Sequence, residues 1–257
     1  DNLERVNNLE VLIDWLGFTF FIYSNPYDVV SYLGLSAGDF AVVNGSNGYK
    51  SALRHNFYSI TILYDGREDM GIHVNITGSA ISYALECYRE SIKMPTPFGD
   101  YAIEYSDETM MARYLRHISE SGKFTRLDLA IDDKGYNYYS VNDVREICDS
   151  DRCMNRFRKY RAEYERSFHG TVTGNTLYFG NRQSNTFLRI YDKRLEQIQK
   201  TKKDCGFEWV RWELELKKDR ANMVVDYLLS GKPLGSVAIG ILSNYFRVVV
   251  KNNNNIT

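Results

Sequence analysis

At 257 residues, 44% hydrophobic and 25% charged, the chain has room for one large domain or two small ones of ordinary globular composition. A net charge of −1 argues against a protein that coats nucleic acid without specificity. No apolar run reaches the roughly 18 residues a membrane span requires and no signal peptide opens the chain, so a cytoplasmic protein is expected.

In chain order, Val11 to Tyr23 (VLIDWLGFTFFIY) reads as a buried strand. Asn25 and Pro26 supply an N-cap and an N1 proline for a short helix through Tyr32. Ala41–Val43 and Asn56–Tyr64 are strand-like, with NGSNG (Asn44–Gly48) as a turn. Gly71 to Thr77 alternates, and Gly78-Ser79 breaks into the helix AISYALECYRES. Met94 to Gly99 (MPTPFG) is expected to be irregular, and a helix follows over Asp107 to Ile118 with Ser106 as its cap.

Phe124 to Asp133 (FTRLDLAIDD) is the next strand, with Arg126, Asp128, Ala130 and Asp132 on one face. Ser140 to Asp143 resembles a capping box for VNDVREICDS, with Asp in place of the usual Glu. The basic run RFRKYRAEYERSFHG then leads into NTLYFGNRQSNTFLRIYDK (Asn175–Lys193), which reads as two strands joined by a polar turn. On Phe187–Lys193 alternation puts Arg189, Tyr191 and Lys193 on one face. Arg194 to Lys203 reads helical. Glu208 to Lys217 is a strand with Arg211, Glu213, Glu215 and Lys217 on one face, and Asp219 can cap the helix RANMVVDYLL.

Charge is distributed unevenly. Asp151 to Arg220 holds 17 Lys/Arg against 10 Asp/Glu, while the remainder holds 15 against 23. That is the pattern of a polyanion-binding face on an acidic protein, although a solvated surface also produces it. The four cysteines lack metal-ligand spacing and are expected to be reduced thiols, the four histidines show no paired-ligand spacing, and no phosphate-binding glycine loop is present. The first and last residues have the look of cut edges of a longer protein.

The expected fold class is α+β, with antiparallel sheet built from two similar strand-helix-strand-strand-helix halves. Residues 1–120 form a half without catalytic charges, and 121–257 form the half that carries them. Three strand faces, Arg126/Asp128/Asp132, Arg189/Tyr191/Lys193 and Arg211/Glu213/Glu215, place charge where strands usually pack apolar residues. A tyrosine between two cations can be a nucleophile for a phosphodiester, and neighbouring carboxylates can hold Mg²⁺ or Mn²⁺. Taken one strand at a time, the same residues suit ordinary cross-strand ion pairs.

IDWLGFTF (Ile13–Phe20), RLDLAIDD (Arg126–Asp133), TLYFGNRQSNTFLRIYDKRLEQ (Thr176–Gln197) and WVRWELELK (Trp209–Lys217) together resemble the replication-initiation-factor family. Its members are rolling-circle plasmid initiators of Gram-positive bacteria and related relaxases of conjugative elements. The resemblance covers nearly the whole chain, and its most specific part is the YFG-x-R-x-S turn followed by RIYDK. It implies a catalytic half like the HUH endonucleases, whose tyrosine nicks one DNA strand at an origin, stays joined to the 5′ phosphate and later re-closes the strand. It implies Tyr191 as that tyrosine, with Tyr178 as runner-up, and a divalent metal held by Asp128, Glu213 and Glu215, with Asp132 in reserve. The paired histidines of HUH enzymes have no counterpart. Arg189 and Lys193 are expected beside the reacting phosphate. Arg182, Arg211, Arg126 and the run containing Arg156, Arg158 and Lys159 are expected to bind DNA. Single-stranded or locally melted origin DNA is the expected partner, with a helicase and a second copy of the chain as further candidates. A relaxase with the same chemistry and a noncatalytic origin-binding module are the alternatives.

Overall fold

A computed structural model describes residues 9–93, 106–135, 138–249, 251–252 and 255–256. The expected irregular stretch Met94–Gly99 lies outside them. In chain order the strands are β1 (Leu9–Phe20), β2 (Phe40–Asn44), β3 (Ser51–His55), β4 (Ile60–Tyr64), β5 (Ile72–Thr77), β6 (Gly122–Lys134), β7 (Cys153–Asn155), β8 (Tyr160–Arg166), β9 (Val172–Phe179), β10 (Thr186–Asp192), β11 (Trp209–Lys217) and β12 (Phe246–Val248). The helices are α1 (Pro26–Tyr32), α2 (Ser79–Ser91), α3 (Asp107–Ser121), α4 (Val141–Asp149), α5 (Lys193–Thr201), α6 (Asp219–Leu229) and α7 (Leu234–Tyr245). Contacts divide the chain into two compact units. The first is Ile13–Asp128 with Lys217–Pro233, and the second is Asp1–Leu12, Leu129–Leu216 and Leu234–Thr257.

In the first unit the strand order is β2-β3-β4-β5-β1-β6. β1 pairs antiparallel with β5, Gly17 facing Asn75 and Thr19 facing His73. Leu16, Phe18 and Phe20 are fully buried, and Phe18 packs edge-on against Phe20 and Phe124, with centroids 5.6 and 5.8 Å apart. Each such side chain contributes about 1.5–3 kcal/mol through burial. Asn25 caps α1 by accepting from the Tyr27 backbone N–H at 3.1 Å, and Ser106 caps α3 from Thr109. The expected strand Asn56–Tyr64 begins only at Ile60, as β4, and a strand that was not expected, β3, precedes it. Between them the His55 Nδ1 accepts from the backbone N–H groups of Phe57 and Tyr58, both at 3.1 Å, so the imidazole closes the bend. Ser-Ala-Leu-Arg-His carries too little apolar alternation to announce β3.

In the second unit the order is β6-β11-β10-β9-β8. Along β10, Leu188 and Ile190 are fully buried, as is Leu177 on β9, and α4 packs against both strands with Val141, Val144 and Ile147 inward. The capping box opening α4 is present, with Asp143 answering Ser140. The basic run expected only as a lead-in contains β8, an edge strand, where charged side chains cost little and discourage further pairing. Helix α7, unanticipated from sequence, packs on β7 and β12.

The neighbours of β1 in the first unit, β5 then β4, β3 and β2, follow the same order as those of β6 in the second, β11 then β10, β9 and β8. β5 enters α2 through Gly78 at φ 58°, ψ −133°, and β11 enters α6 through Lys218 at φ 52°, ψ −127°. Lys218, rather than the expected Asp219, therefore holds the N-cap position.

Candidate active site

β10 places Tyr191 and Arg189 on one face. In the register Arg189 stands between Glu213 of β11 and Tyr178 of β9, and Tyr191 stands between Arg211 and Thr176. Directly paired residues project to the same side of a sheet, so carboxylate, phenol and guanidinium groups meet there. The Tyr191 hydroxyl donates to Glu213 Oε2 at 3.0 Å, while the Arg189 guanidinium pairs with the other oxygen of the same carboxylate. Glu213 is only 3% exposed, so its charge is kept inside by these donors.

Lys193 reaches the site by a route that strand alternation does not describe. It is the first residue of α5, with the Asp192 side chain capping the helix by accepting from Leu195 N–H at 2.9 Å. From there its Nζ lies 3.5 Å from the Tyr191 hydroxyl and pairs with Glu196 one turn on. Burial pushes the Asp192 carboxyl above the usual range. Burial acts the same way on Glu196, but the ammonium groups of Lys193 and Lys200 outweigh it and hold that carboxyl low.

The other expected residues divide by environment. Arg211 and Asp132 form a buried bidentate pair, Nε to Oδ1 at 2.6 Å and NH2 to Oδ2 at 2.7 Å. With 5% exposure the Arg211 guanidinium is committed to the interior rather than presented to a phosphate. In the first unit, Arg126 grips Asp128 through bonds of 2.9 and 2.6 Å and lies 3.9 Å over the Trp15 ring. Arg182, Arg156, Arg158 and Lys159 are exposed. Glu215 faces Phe187 across the β10–β11 ladder and is 5% exposed.

Hard, buried carboxylate oxygens suit Mg²⁺ or Mn²⁺ chemically. Among the described residues, however, no group of three or more His, Cys, Asp or Glu side chains is arranged to hold a metal ion. Glu213 and Asp128 are each engaged by an arginine instead.

Beside Tyr191 a pocket of about 200 Å³ is lined by Tyr178, Glu163, Glu165 and Thr176, with Arg189 and Glu196 among its other walls. Sequence reading missed Glu163 and Glu165, because their place opposite Thr176 and Gly174 depends on β8 being a strand. Glu196 was legible in principle, lying one helical turn beyond Lys193. Burial and the Glu163 carboxylate raise the Tyr178 phenol above its ordinary value, which disfavours the runner-up tyrosine as a phenolate.

The chain is 38% identical over 138 residues to the putative DNA relaxase NicK of Bacillus subtilis (strain 168), a match spanning 51% of this chain and 38% of the relative. It is 34% identical over 112 residues to a replication initiation protein of Staphylococcus aureus, covering 42% of this chain and 29% of that protein. The chain thus spans well under half the length of these two relatives. Its fold is similar to that of the rolling circle replication initiator protein from Geobacillus stearothermophilus, with a TM-score of 0.76, 28% identity, and coverage of 96% of this chain and 89% of the other. The replication initiation factor model matches residues 122–257. Since that stretch is more than half of the chain and holds Arg189, Tyr191, Lys193 and Glu213 together, the chain belongs to the replication initiation factor family.

Proposed function

We propose that the chain nicks and re-closes one DNA strand at an origin through a covalent 5′-phosphotyrosine on Tyr191, starting rolling-circle replication. The observation that carries this reading is the Tyr191 hydroxyl held by Glu213 Oε2 at 3.0 Å with the Lys193 ammonium 3.5 Å away. Family membership and the relatives' names support a nicking enzyme. In the forward step Tyr191 Oη attacks phosphorus and the phenolic proton moves toward Glu213. The bond from phosphorus to O3′ breaks, and that oxygen takes a proton from solvent to leave a 3′ hydroxyl that primes synthesis. Attack by a 3′ hydroxyl on the phosphotyrosine runs the step in reverse and closes the strand.

Glu213 orients the hydroxyl and accepts its proton as the bond to phosphorus forms. Lys193 and Arg189 stabilise the phenolate and the charge gathering on the phosphate oxygens. Divalent-metal dependence belongs to the same proposal, with Glu213 and Glu215 as its donors in the second unit. Such an ion supplies Lewis acidity at the scissile phosphate when bound. The ion-paired carboxylates do not form a cage as they stand, so the step above uses this chain's residues alone. Exposed Arg156, Arg158, Lys159 and Arg182 hold the flanking backbone, and residues 121–257 act as the catalytic half.

The match to a relaxase favours one second reading, the same strand transfer serving conjugation. A noncatalytic origin-binding module is separated from both by one gel. Incubated with labelled single-stranded origin DNA and Mn²⁺, the chain is expected to form an adduct that survives denaturing electrophoresis, and Tyr191→Phe to lose it while still binding DNA. An adduct that persists in Tyr191→Phe removes Tyr191 from the mechanism. Absence of an adduct in the unaltered chain favours the binding module.

A further inference from the structure

Tyr191 and Arg189 line one side of the pocket, and beyond them its walls carry the carboxylates of Glu163, Glu165, Asp192 and Glu196, which suit a further phosphate poorly. Tyr178 also lines it, and its ring stacks on Phe187 with centroids 6.0 Å apart and planes 20° from parallel. The Arg161 guanidinium lies 4.9 Å from the Tyr178 ring centre and pairs with Glu163 at 2.9 Å. The ring is thus held by an aromatic neighbour and by a guanidinium that is itself tied to Glu163. Register places Arg161, Tyr178, Arg189 and Glu213 in one cross-strand row, and Glu163, Thr176, Tyr191 and Arg211 in the next. The ring is thus one row and one strand from the nucleophile, on the same face.

Beyond the ring stands Glu165, opposite Gly174, where an added Cβ would come within 3.0 Å of the Glu165 Oε2. Glycine there leaves the carboxylate its place at the pocket. Carboxylates repel phosphate but accept hydrogen bonds from the amino groups of bases. A rigid aromatic face accepts any base by stacking.

We infer that this pocket holds one unpaired nucleobase of the strand being cut, stacked on Tyr178 with an amino-bearing edge turned to Glu165. The inference rests on the reading of Tyr191 as the nucleophile, and it gives Tyr178 a positioning role in place of a chemical one. Seating one base a fixed distance from Tyr191 sets which phosphate the hydroxyl meets. Cytosine, adenine and guanine present an amino group to the carboxylate, whereas thymine presents carbonyl oxygens around a single N–H. Thymine is therefore the disfavoured base at this position.

The test uses binding without chemistry, which keeps it separate from the adduct experiment. A single-stranded oligonucleotide is selected from a randomised pool by affinity for the Tyr191→Phe chain, and each base near the site is then removed in turn. At one position, loss of the base is expected to weaken binding by roughly 5- to 150-fold, the range that base–aromatic stacking spans. Adding Tyr178→Ala should cost the intact oligonucleotide about as much and make base removal at that position nearly silent, while Tyr178→Phe behaves as the parent. Thymine at that position should bind less well than cytosine, and Glu165→Gln should shrink the difference. The inference is overturned if no single base matters, if no oligonucleotide is retained, or if Tyr178→Ala and base removal weaken binding independently. Because the base scan needs no change at Tyr178, it decides the matter even if Tyr178→Ala does not fold. Loss of the pocket with a normal Tyr191 adduct would sink this inference alone, and a normal base scan with no adduct would sink the nucleophile alone.

Discussion

Asp132→Asn tests whether Arg211 serves the interior or the DNA. Asp132 is 1% exposed and Arg211 5%, and the two are joined by bonds of 2.6 and 2.7 Å. The change leaves a guanidinium buried with its counter-charge removed. Breaking a buried pair in this way costs about 3–5 kcal/mol. For a chain of this size each kcal/mol moves the thermal midpoint by about 2–4 °C, so a fall of roughly 6–20 °C is expected. The assay is thermal unfolding of purified protein, followed by the fluorescence of Trp209 and Trp212 on β11. The double change Asp132→Leu with Arg211→Met should recover much of the loss, because apolar residues of similar volume often replace a buried ion pair without penalty. Adduct formation should also return in that double variant. A loss below about 1 kcal/mol in Asp132→Asn would mark the pair as no stronger than a surface one and refute the reasoning. A stable double variant that no longer binds DNA would return Arg211 to the DNA-contacting set.

Further outcomes follow from particular groups. Glu213→Gln should slow single-turnover nicking by roughly 10²- to 10⁴-fold, the usual worth of a proton acceptor, and an unchanged rate would remove Glu213 from the step. Burial lowers the pKa of His73, whose Nδ1 sits 2.9 Å from the Thr19 hydroxyl, so between its folded value and the unfolded 6.5 only the unfolded chain takes up the proton. Stability should therefore fall as pH drops through about 6.5. His73→Gln should flatten that slope in melts between neutral and mildly acid pH, leaving the same-direction share of His55. Lys218→Gly should raise stability by about 1 kcal/mol in urea unfolding, because φ 52°, ψ −127° is strained for any residue with a side chain. An unchanged midpoint would show that the backbone relaxes there.

How much was readable beforehand differed by element. The strands β1, β6, β10 and β11 were legible because apolar alternation or burial marked them, and the caps at Asn25, Ser106 and Ser140 declared their helices within a few residues. β3 and β8 were not, since a short polar strand and an exposed edge strand carry little period for sequence to show. Tyr191 and Arg189 were readable as a pair on one face because β10 alternates. Lys193 reaches the same phenol although the strand ends at Asp192, and no period of two would place it there. By itself, then, the sequence determined most of the apolar and well-capped elements, the strand that carries Tyr191 and, through its motifs, the family. Only the tertiary structure decided the partners: Glu213 for Tyr191, Asp132 for Arg211, and Arg161 for the Tyr178 ring. The physical reason is register, because which residues face one another across β8 to β11 depends on how separately folded strands align, and no one strand encodes its neighbour's position.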